Sequence, residues 1–216
     1  MELLYKSVIS EELKELEKSL LSSISSDIAL ATEISNYLLL SGGKRLRPAL
    51  CILVSKALEY DGEDLIKLAS SIELLHTATL IHDDVVDESL FRRGKESIHS
   101  KWDNAHGVLV GDFVYSKAFQ LMASFKNPEI IRTLADSTNR ISEGEVLQLS
   151  LKSQDLLEKD YFNIVDRKTN HKPVTIAIHK PYKVLIIIDA VSIYAYKDKK
   201  KNVALTFKTL VRNPSL

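Results

Sequence analysis

Hydrophobic residues recur three and four positions apart over most of the chain, from Ser10 to Leu149, and few stretches alternate as strands do. That spacing places apolar side chains on one face of a helix. The pattern therefore predicts an all-α fold, a bundle of amphipathic helices. The predicted helices begin near Ser10, Asp27 and Pro48 and then cover residues 63–88, 107–125, 129–151 and 158–168.

Residue types at the ends of these segments support the boundaries. Ser10 and Asp27 carry side chains that accept hydrogen bonds from the first turn of a helix. Gly42-Gly43 ends the second helix, and Pro48 suits the first turn of the third, where its missing N–H is not needed. Asn127-Pro128 separates the fifth helix from the sixth. These signals divide residues 1–170 into consecutive helices.

Residues 171–216 differ from the rest of the chain in charge and residue type. They hold nine lysines and arginines against two acids, whereas residues 1–170 hold twenty against twenty-seven. Their apolar runs, VTIAI, VLIII and VALTF, are rich in β-branched residues, which favour strands. We interpret residues 1–170 as the helical domain and residues 171–216 as an atypical basic tail. This tail is a small second module, a poorly ordered segment or sequence from another reading frame.

Composition excludes several classes of protein. The formal net charge is zero, which gives no reason to expect a nucleic-acid partner. No apolar run reaches the length of a membrane span, about 18 residues, and the N-terminus lacks a secretory signal pattern. The single cysteine, Cys51, lies in an apolar run, has no internal disulfide partner and is expected in the core. We expect a cytoplasmic protein without a transmembrane segment.

Three carboxylates interrupt the apolar stretch of the fourth predicted helix. Asp83 and Asp87 are four residues apart and share a helix face, and Asp84 is about a quarter-turn round from Asp83. Crowded ionised carboxylates repel one another and are costly to bury, so the cluster favours a bound cation. Oxygen ligands of this kind suit Mg²⁺, which proteins usually hold with one or two carboxylates plus substrate phosphate oxygens.

Basic residues follow the aspartates and favour a phosphate ligand. Arg92, Arg93 and Lys95 come shortly after Asp87, and arginine grips phosphate oxygens with a two-pronged geometry. Carboxylates, Mg²⁺ and guanidinium groups together indicate a diphosphate. A solvated acidic helix end followed by a basic loop is the alternative for these residues by themselves.

A second basic segment, SGGKRLRP at residues 41–48, joins two predicted helices. Its glycines permit backbone conformations closed to other residues, and Lys44, Arg45 and Arg47 stand at the start of the next helix. Such a helix start is suited to an anion, although a plain basic loop is equally compatible. His76 is two turns before Asp83 and on much the same face; alone, such a histidine also fits a core position.

Five segments, in this order and spacing, resemble the trans-polyprenyl diphosphate synthases, most closely the bacterial octaprenyl type. They are GGKRLRP, ELLHTATLIHDDVVDESLFRRGK, VLVGDFVYSKAFQLM, EGEVLQL and YFNIVDRKT, and the resemblance covers nearly all of residues 1–169. It implies an isoprenoid synthase-type helical bundle, incomplete at the C-terminus. It also implies Mg²⁺-dependent head-to-tail prenyl transfer. In this reaction an allylic diphosphate ionises, the double bond of isopentenyl diphosphate attacks the allylic cation, and a proton is lost.

The resemblance also implies roles for individual residues. The diphosphate of isopentenyl diphosphate is held by Lys44, Arg47, His76 and Arg93. The allylic diphosphate is held through Mg²⁺ by Asp83, Asp84 and Asp87, and directly by Arg92, Lys168 and Thr169. Ala78 and Thr79, about one turn before Asp83, are small where short-chain members of the family carry bulky aromatics. This favours a long, octaprenyl-like product, although both residues also fit simple packing positions.

Other polar residues of these segments fit structural roles better. Glu143 and Glu145 do not share a helix face and Gln148 is a weak metal ligand, which favours packing or a polar network over a second metal site. Asp112 lies among apolar neighbours and is expected to be a buried structural acid.

The chain departs from the family after residue 170. Family members carry a second aspartate-rich motif, whose nearest equivalent here is IIIDAVSIY, in which Asp189 has no acidic companions. We expect impaired turnover by this chain alone, and our hypothesis is that a frameshift or internal deletion produced the change in residue type. The alternative function is a non-catalytic subunit that pairs with a complete synthase, and assembly as a homodimer or heteromer is expected. The intact DDVVD and RRG motifs favour recent loss of activity over long specialisation.

Overall fold

The computed structural model describes residues 5–60, 62–151, 157–168, 192–197 and 201–206. Most of these residues are helical, which confirms the predicted all-α fold. The chain divides into two compact units. The first comprises Met1–Ile52 and Gly62–Ser124, and the second comprises Leu53–Asp61 and Phe125–Leu216.

Nine helices and two short hairpins make up the regular structure of the described residues. The helices are α1 (Tyr5–Val8), α2 (Ser10–Ser23), α3 (Ala29–Leu39), α4 (Leu46–Ala57), α5 (Leu65–Val86), α6 (Ile98–Lys101), α7 (Asn104–Ala123), α8 (Pro128–Leu151) and α9 (Glu158–Lys168). The strands are β1 (Phe91–Arg92), β2 (Lys95–Glu96), β3 (Ser192–Lys197) and β4 (Lys201–Thr206). All seven helices predicted from periodicity are present. The two additional helices, α1 and α6, are single turns too short to show a period.

The predicted caps at Ser10 and Asp27 are wrong. Buried Ile9 stands at the N-cap of α2 and Ile28 at the N-cap of α3, and neither side chain supplies a capping hydrogen bond. The entry to α3 is fixed instead by Ser26, whose hydroxyl accepts a hydrogen bond from the Ile28 N–H at 3.1 Å. Helix α7 starts earlier than predicted because the Asp103 carboxylate accepts a hydrogen bond from the His106 N–H at 2.8 Å.

The core of the first unit is built around α5. This helix packs against α2, α6 and α7, and α7 packs in turn against α2 and α3. Leu74, Ala78 and Ile81 of α5 are at most 1% exposed, so the middle of the helix is surrounded by other elements. Polar residues on α5 are therefore held at fixed places, which positions the acidic segment at its C-terminal end.

Two glycines of α7 allow this helix to approach α5 closely. A Cβ atom at Gly107 would lie 2.6 Å from Cγ2 of Val85, and one at Gly111 would collide with the imidazole of His82. The two glycines are four residues apart and share a helix face. The sequence GVLVG therefore provides a flat surface on which α5 rests.

We expect Gly107→Ala to lower the free energy of unfolding by about 1 kcal/mol. Val85 is β-branched and has little rotamer freedom in a helix, so overpacking at about 1–3 kcal/mol outweighs the roughly 1 kcal/mol that alanine gains in helix propensity. Urea unfolding measures the change, with exposed Ser116→Ala on the same helix as the control. A Gly107→Ala protein as stable as the parent would show that the two helices separate at no cost.

In the second unit, α8 packs against α9. The unit also contains the hairpin of β3 and β4. The two strands are antiparallel, with Ser192 opposite Thr206 and Lys197 opposite Lys201. Strand β4 includes most of the run VALTF, which is a strand as its β-branched residues predict. The runs VTIAI and VLIII, and Asp189, lie outside the described residues.

Candidate functional site

The basic loop between α3 and α4 turns on residues with positive φ. Gly42 has φ +83° and Arg45 has φ +49°. The carbonyl oxygen of Arg45 accepts a hydrogen bond from the Ala49 N–H at 3.0 Å, so Arg45 is the residue from which α4 starts. The loop therefore carries Lys44 into solvent and brings Arg47 onto the first turn of α4, where both side chains are exposed.

The segment RRGK forms a tight hairpin that separates its two arginines. Arg92 pairs with Lys95 across the ladder, and the connecting Arg93 and Gly94 have φ +52° and +79°. Two central residues with positive φ are typical of a type I′ turn, which explains the glycine. The hairpin aims Arg92 and Arg93 at different partners.

Arg93 lies against the basic loop. Its Nη1 donates a hydrogen bond to the carbonyl oxygen of Gly42. A Cβ atom at Gly43 would lie 2.7 Å from the same nitrogen, so a larger residue there would require the Arg93 guanidinium group to shift. Arg93 of the hairpin therefore contacts the SGGKRLRP loop at Gly42 and lies close to Gly43.

Arg47 contacts His76 on α5. Its Nη1 lies 3.0 Å from Nε2 of His76. A guanidinium group only donates, so Nε2 accepts and the neutral histidine carries its proton on Nδ1. The pKa of His76 is lowered to about 4, chiefly by burial and then by the positive charges of Arg47, Arg93, Arg92 and Arg45 in that order. The His76 imidazole is therefore neutral at pH 7, and the charges of four arginines favour this neutral form.

Acidification is expected to destabilise the protein through His76. The pKa of an ordinary histidine is 6.5 and that of His76 in the folded protein is about 4, so the unfolded chain binds more protons between these two values. Stability is therefore lost as the pH falls through this window, by at most about 3 kcal/mol. Urea unfolding between pH 7 and pH 4 measures the loss. In His76→Gln, which has no titrating group, the dependence on pH should be weaker, and an unchanged dependence would contradict the assignment.

The three aspartates at the end of α5 occupy different environments. Asp84 is buried, with 2% of its surface exposed, whereas Asp83 is partly buried and Asp87 is exposed. The Asp84 carboxylate accepts hydrogen bonds from Arg92 Nε, and its Oδ1 lies 2.7 Å from Arg92 Nη2. These hydrogen bonds raise the pKa of Arg92 against the effect of its burial, and the charges of Asp84, Asp83 and Asp87 raise it further.

The carboxylates at the end of α5 fit a metal site in which phosphate oxygens of a substrate supply the remaining metal ligands. Asp83 and Asp87 share a face of α5, and the Asp87 N–H donates to the carbonyl oxygen of Asp83 at 2.8 Å. Within the described residues, no group of three or more histidine, cysteine or acidic side chains is gathered closely enough to hold a metal ion alone. Two carboxylates plus phosphate oxygens are the usual protein environment of Mg²⁺, which needs no cage of protein ligands.

Residues 28–202 match the family model described as Polyprenyl synthetase. The chain belongs to the polyprenyl synthetase family. This confirms the resemblance drawn from the five sequence segments. The match includes the basic loop, the aspartates and the RRGK hairpin whose contacts are given above.

Two relatives and one solved structure illustrate the range of the family. Octaprenyl diphosphate synthase of Escherichia coli (strain K12) is 39% identical over 161 residues, covering 74% of this chain and 50% of that protein. All-trans-nonaprenyl-diphosphate synthase (geranyl-diphosphate specific) of Rhodobacter capsulatus is 40% identical over 164 residues, covering 75% and 50%. A polyprenyl synthase from Caulobacter crescentus CB15, complexed with calcium and isoprenyl diphosphate, has 36% identity and a TM-score of 0.74, covering 77% of this chain and 51% of that chain.

The chain spans about half the length of the relatives that it matches. The likeness of fold confirms the isoprenoid synthase type of helical bundle. Among the described residues, no helix has both the length and the apolar character required to cross a membrane.

The remaining predicted site residues are spread over several elements. Ala78 is fully buried, and partly buried Thr79 donates its hydroxyl to the carbonyl oxygen of His76 at 2.9 Å. Lys168 is the last residue of α9, in the second unit. Thr169 lies outside the described residues. Their predicted roles stay predictions.

Two acids with predicted structural roles can be compared with their surroundings. Glu143 accepts hydrogen bonds from Asn139 Nδ2 at 2.9 Å and from Arg167 Nη1 at 2.5 Å, which makes it part of a polar network between α8 and α9. The prediction that Asp112 is buried is wrong, because its side chain is 65% exposed and lies 3.3 Å from His82. Its neighbours Val110, Gly111 and Val114 take the buried face of α7 instead.

Sequence reasoning missed the partners of Arg45. Its guanidinium group lies between Glu17 of α2 and Glu73 of α5, at 2.7 Å and 3.0 Å. One signal was available: Glu73 is an acid within the otherwise uncharged stretch from Leu68 to Leu80. A carboxylate in such a stretch requires a buried partner.

Proposed function

We propose that this chain forms the diphosphate-binding part of a long-chain polyprenyl diphosphate synthase, which joins isopentenyl diphosphate head to tail with an allylic diphosphate. One observation carries the proposal. The charges of Arg47, Arg92 and Arg93 all lower the pKa of His76 on α5, and Arg92 also donates a hydrogen bond to Asp84 near the end of the same helix. Cations beside helix-borne carboxylates suit a diphosphate and the divalent ion that accompanies it.

The proposed isopentenyl diphosphate site consists of Lys44, Arg47, His76 and Arg93. Arg47 and Arg93 are exposed residues beside the loop, and each guanidinium group has donors beyond the one used in its protein contact. His76 orients Arg47 and adds no charge of its own. The site would thus bind a diphosphate through charge while its members are already oriented by one another.

The proposed allylic site uses Asp83 and Asp87 to hold Mg²⁺. Lys168 and Thr169 keep only the roles that the family resemblance implies, since Lys168 belongs to the second unit and Thr169 lies outside the described residues. When bound, Mg²⁺ supplies positive charge that stabilises a departing diphosphate. Asp84 is already bonded to Arg92, so we assign it to the positioning of that guanidinium group. Arg92 held in this way would supply positive charge to the diphosphate as negative charge develops on its leaving oxygens.

The proposed reaction breaks the allylic carbon–oxygen bond and forms a carbon–carbon bond to the isopentenyl unit, with loss of one proton. Ala78 and Thr79 precede the carboxylates by about one turn and are small, which supports a long product. The relatives described above make octaprenyl and nonaprenyl chains according to their names. Octaprenyl-like length is therefore our proposal within a family of several product lengths.

A second candidate function is that of a subunit that works with another chain. Val108 and Leu109 of α7 are 43% and 66% exposed. Apolar side chains exposed on a helix suit assembly with a second copy or with a complete synthase.

Product analysis separates the two candidates. The purified chain is incubated with isopentenyl and farnesyl diphosphates with and without Mg²⁺, and the extracted products are identified by mass spectrometry. Mg²⁺-dependent elongation supports the synthase. No elongation, with a changed product from a co-purified complete synthase, supports the subunit. Absence of both effects, and of any binding of isopentenyl diphosphate in calorimetry, would overturn the proposed function.

A further inference from the structure

Arg45 is bound by three elements at once. Its Nε donates to Glu17 Oε1 at 2.7 Å and its Nη2 donates to Glu17 Oε2 at 3.2 Å. Its Nη1 donates to Glu73 Oε1 at 3.0 Å, and Nη2 also donates to the carbonyl oxygen of Leu39 at 2.9 Å, the last residue of α3. Arg45 thereby ties α2, α3 and α5 to the start of α4.

The guanidinium group of Arg45 has too few unused hydrogen-bond donors to bind a substrate. Of the five N–H donors of a guanidinium group, four are directed at Glu17, Glu73 and Leu39. The side chain is 10% exposed and that of Glu73 is 4% exposed. Although burial lowers the pKa of Arg45, the hydrogen bonds and charges of Glu17 and Glu73 raise it overall, so the charge is retained.

The anchored side chain belongs to a residue whose backbone sets the direction of the basic loop. Arg45 has positive φ, which is costly for a residue other than glycine and persists only where surrounding contacts enforce it. Lys44 precedes it and Arg47 follows two residues later. On α5, Glu73 and His76 are three residues apart on one face, so Arg45–Glu73 and Arg47–His76 are neighbouring contacts.

We propose that Arg45, held by Glu17 and Glu73, is a positioning residue that fixes Lys44 and Arg47 in the geometry that binds isopentenyl diphosphate. The inference rests on the proposed function of the basic loop and extends it to three residues outside the substrate contacts. Without this anchor the loop can relax its positive φ, and Arg47 leaves His76. Two cations would then reach the diphosphate only after the loop is reordered, which weakens binding.

A double variant separates positioning from stability. Replacing one member of a buried ion pair leaves an uncompensated charge, whereas replacing both by apolar residues of similar volume is often neutral. We therefore compare Glu73→Leu with the combination of Arg45→Met and Glu73→Leu. The single variant is expected to unfold at lower urea concentration, and the double variant to recover most of that loss.

Two measurements on the folded double variant test the proposal. Calorimetry should show isopentenyl diphosphate bound at least about tenfold more weakly than by the parent, since small misplacements of binding groups are costly. Nuclear Overhauser contacts between the Arg47 side chain and the His76 ring should be lost. Recovered stability with parental affinity and intact contacts would show a purely structural role and overturn the inference.

The contacts between Arg47 and His76 are measured without ligand. The proposed function of the basic loop and the positioning role of Arg45 can therefore fail separately. If the parent protein does not bind isopentenyl diphosphate, the proposed function of the loop fails. If the parent binds but the double variant keeps the contacts between Arg47 and His76, the positioning role fails. The exposed pair of Lys14 and Glu11 on α2 provides the control: Lys14→Met with Glu11→Leu should change neither measurement.

Discussion

Arg92→Ala is expected to lower the free energy of unfolding by about 3 kcal/mol, the lower end of the range for breaking a buried ion pair. The Asp84 side chain is 3% exposed, and Arg92, at 24%, is its partner in hydrogen bonds of 2.7 Å. Removing the guanidinium group leaves an ionised carboxylate without compensation in a poorly solvated place. The helix end and the RRGK hairpin would also lose the contact that joins them. Urea or thermal unfolding measures the change.

A double-mutant cycle tests whether the loss comes from the pair. Asp84→Leu combined with Arg92→Ala should cost less than Arg92→Ala alone, because no charge remains buried. The pair of Lys14 and Glu11, whose side chains are 68% and 77% exposed, should show much weaker coupling. Strictly additive losses for Asp84 and Arg92 would show that their contact contributes little to stability.

The fold of the first unit was largely readable from periodicity. The stretch predicted as residues 63–88 became α5 (Leu65–Val86), and the continuous burial of residues 68–74 follows from an apolar sequence interrupted mainly by small polar residues. Caps were harder to predict, because several residue types compete for each helix start. At α3, Ser26 took the role expected of Asp27 since its hydroxyl reaches the Ile28 N–H.

The motif residues could be found from the sequence, but their pairing could not. The motif DDVVD does not distinguish Asp83, Asp84 and Asp87 from one another. Because the helix turns about 100° per residue, only Asp84 is directed into the interior. Its bond to Arg92 depends on the hairpin turn at Arg93-Gly94, which no periodicity shows. Likewise, Arg45 and Glu73 are 28 residues apart, and only the packing of α5 brings them together.

Asp83→Asn and Asp87→Asn are each expected to weaken Mg²⁺-dependent binding of a prenyl diphosphate by about 100-fold or more, since even outer-shell changes cost 10–100-fold in metal affinity. An amide keeps the size of the carboxylate but removes the negative charge that a hard cation requires. The probe is farnesyl thiodiphosphate, which ionises too slowly to react, titrated calorimetrically with and without Mg²⁺. Binding without Mg²⁺ should change little in these variants.

Matched controls distinguish a metal role from a general effect of charge. Asp27→Asn removes an exposed carboxylate from the same unit and should leave Mg²⁺-dependent binding unchanged. Asp84→Asn should mainly reduce stability, since its carboxylate is committed to Arg92. If Asp83→Asn and Asp87→Asn bind the thiodiphosphate with Mg²⁺ as tightly as the parent does, these carboxylates do not hold the ion. A loss in Asp84→Asn as large as theirs, at unchanged stability, would instead place all three aspartates on the metal.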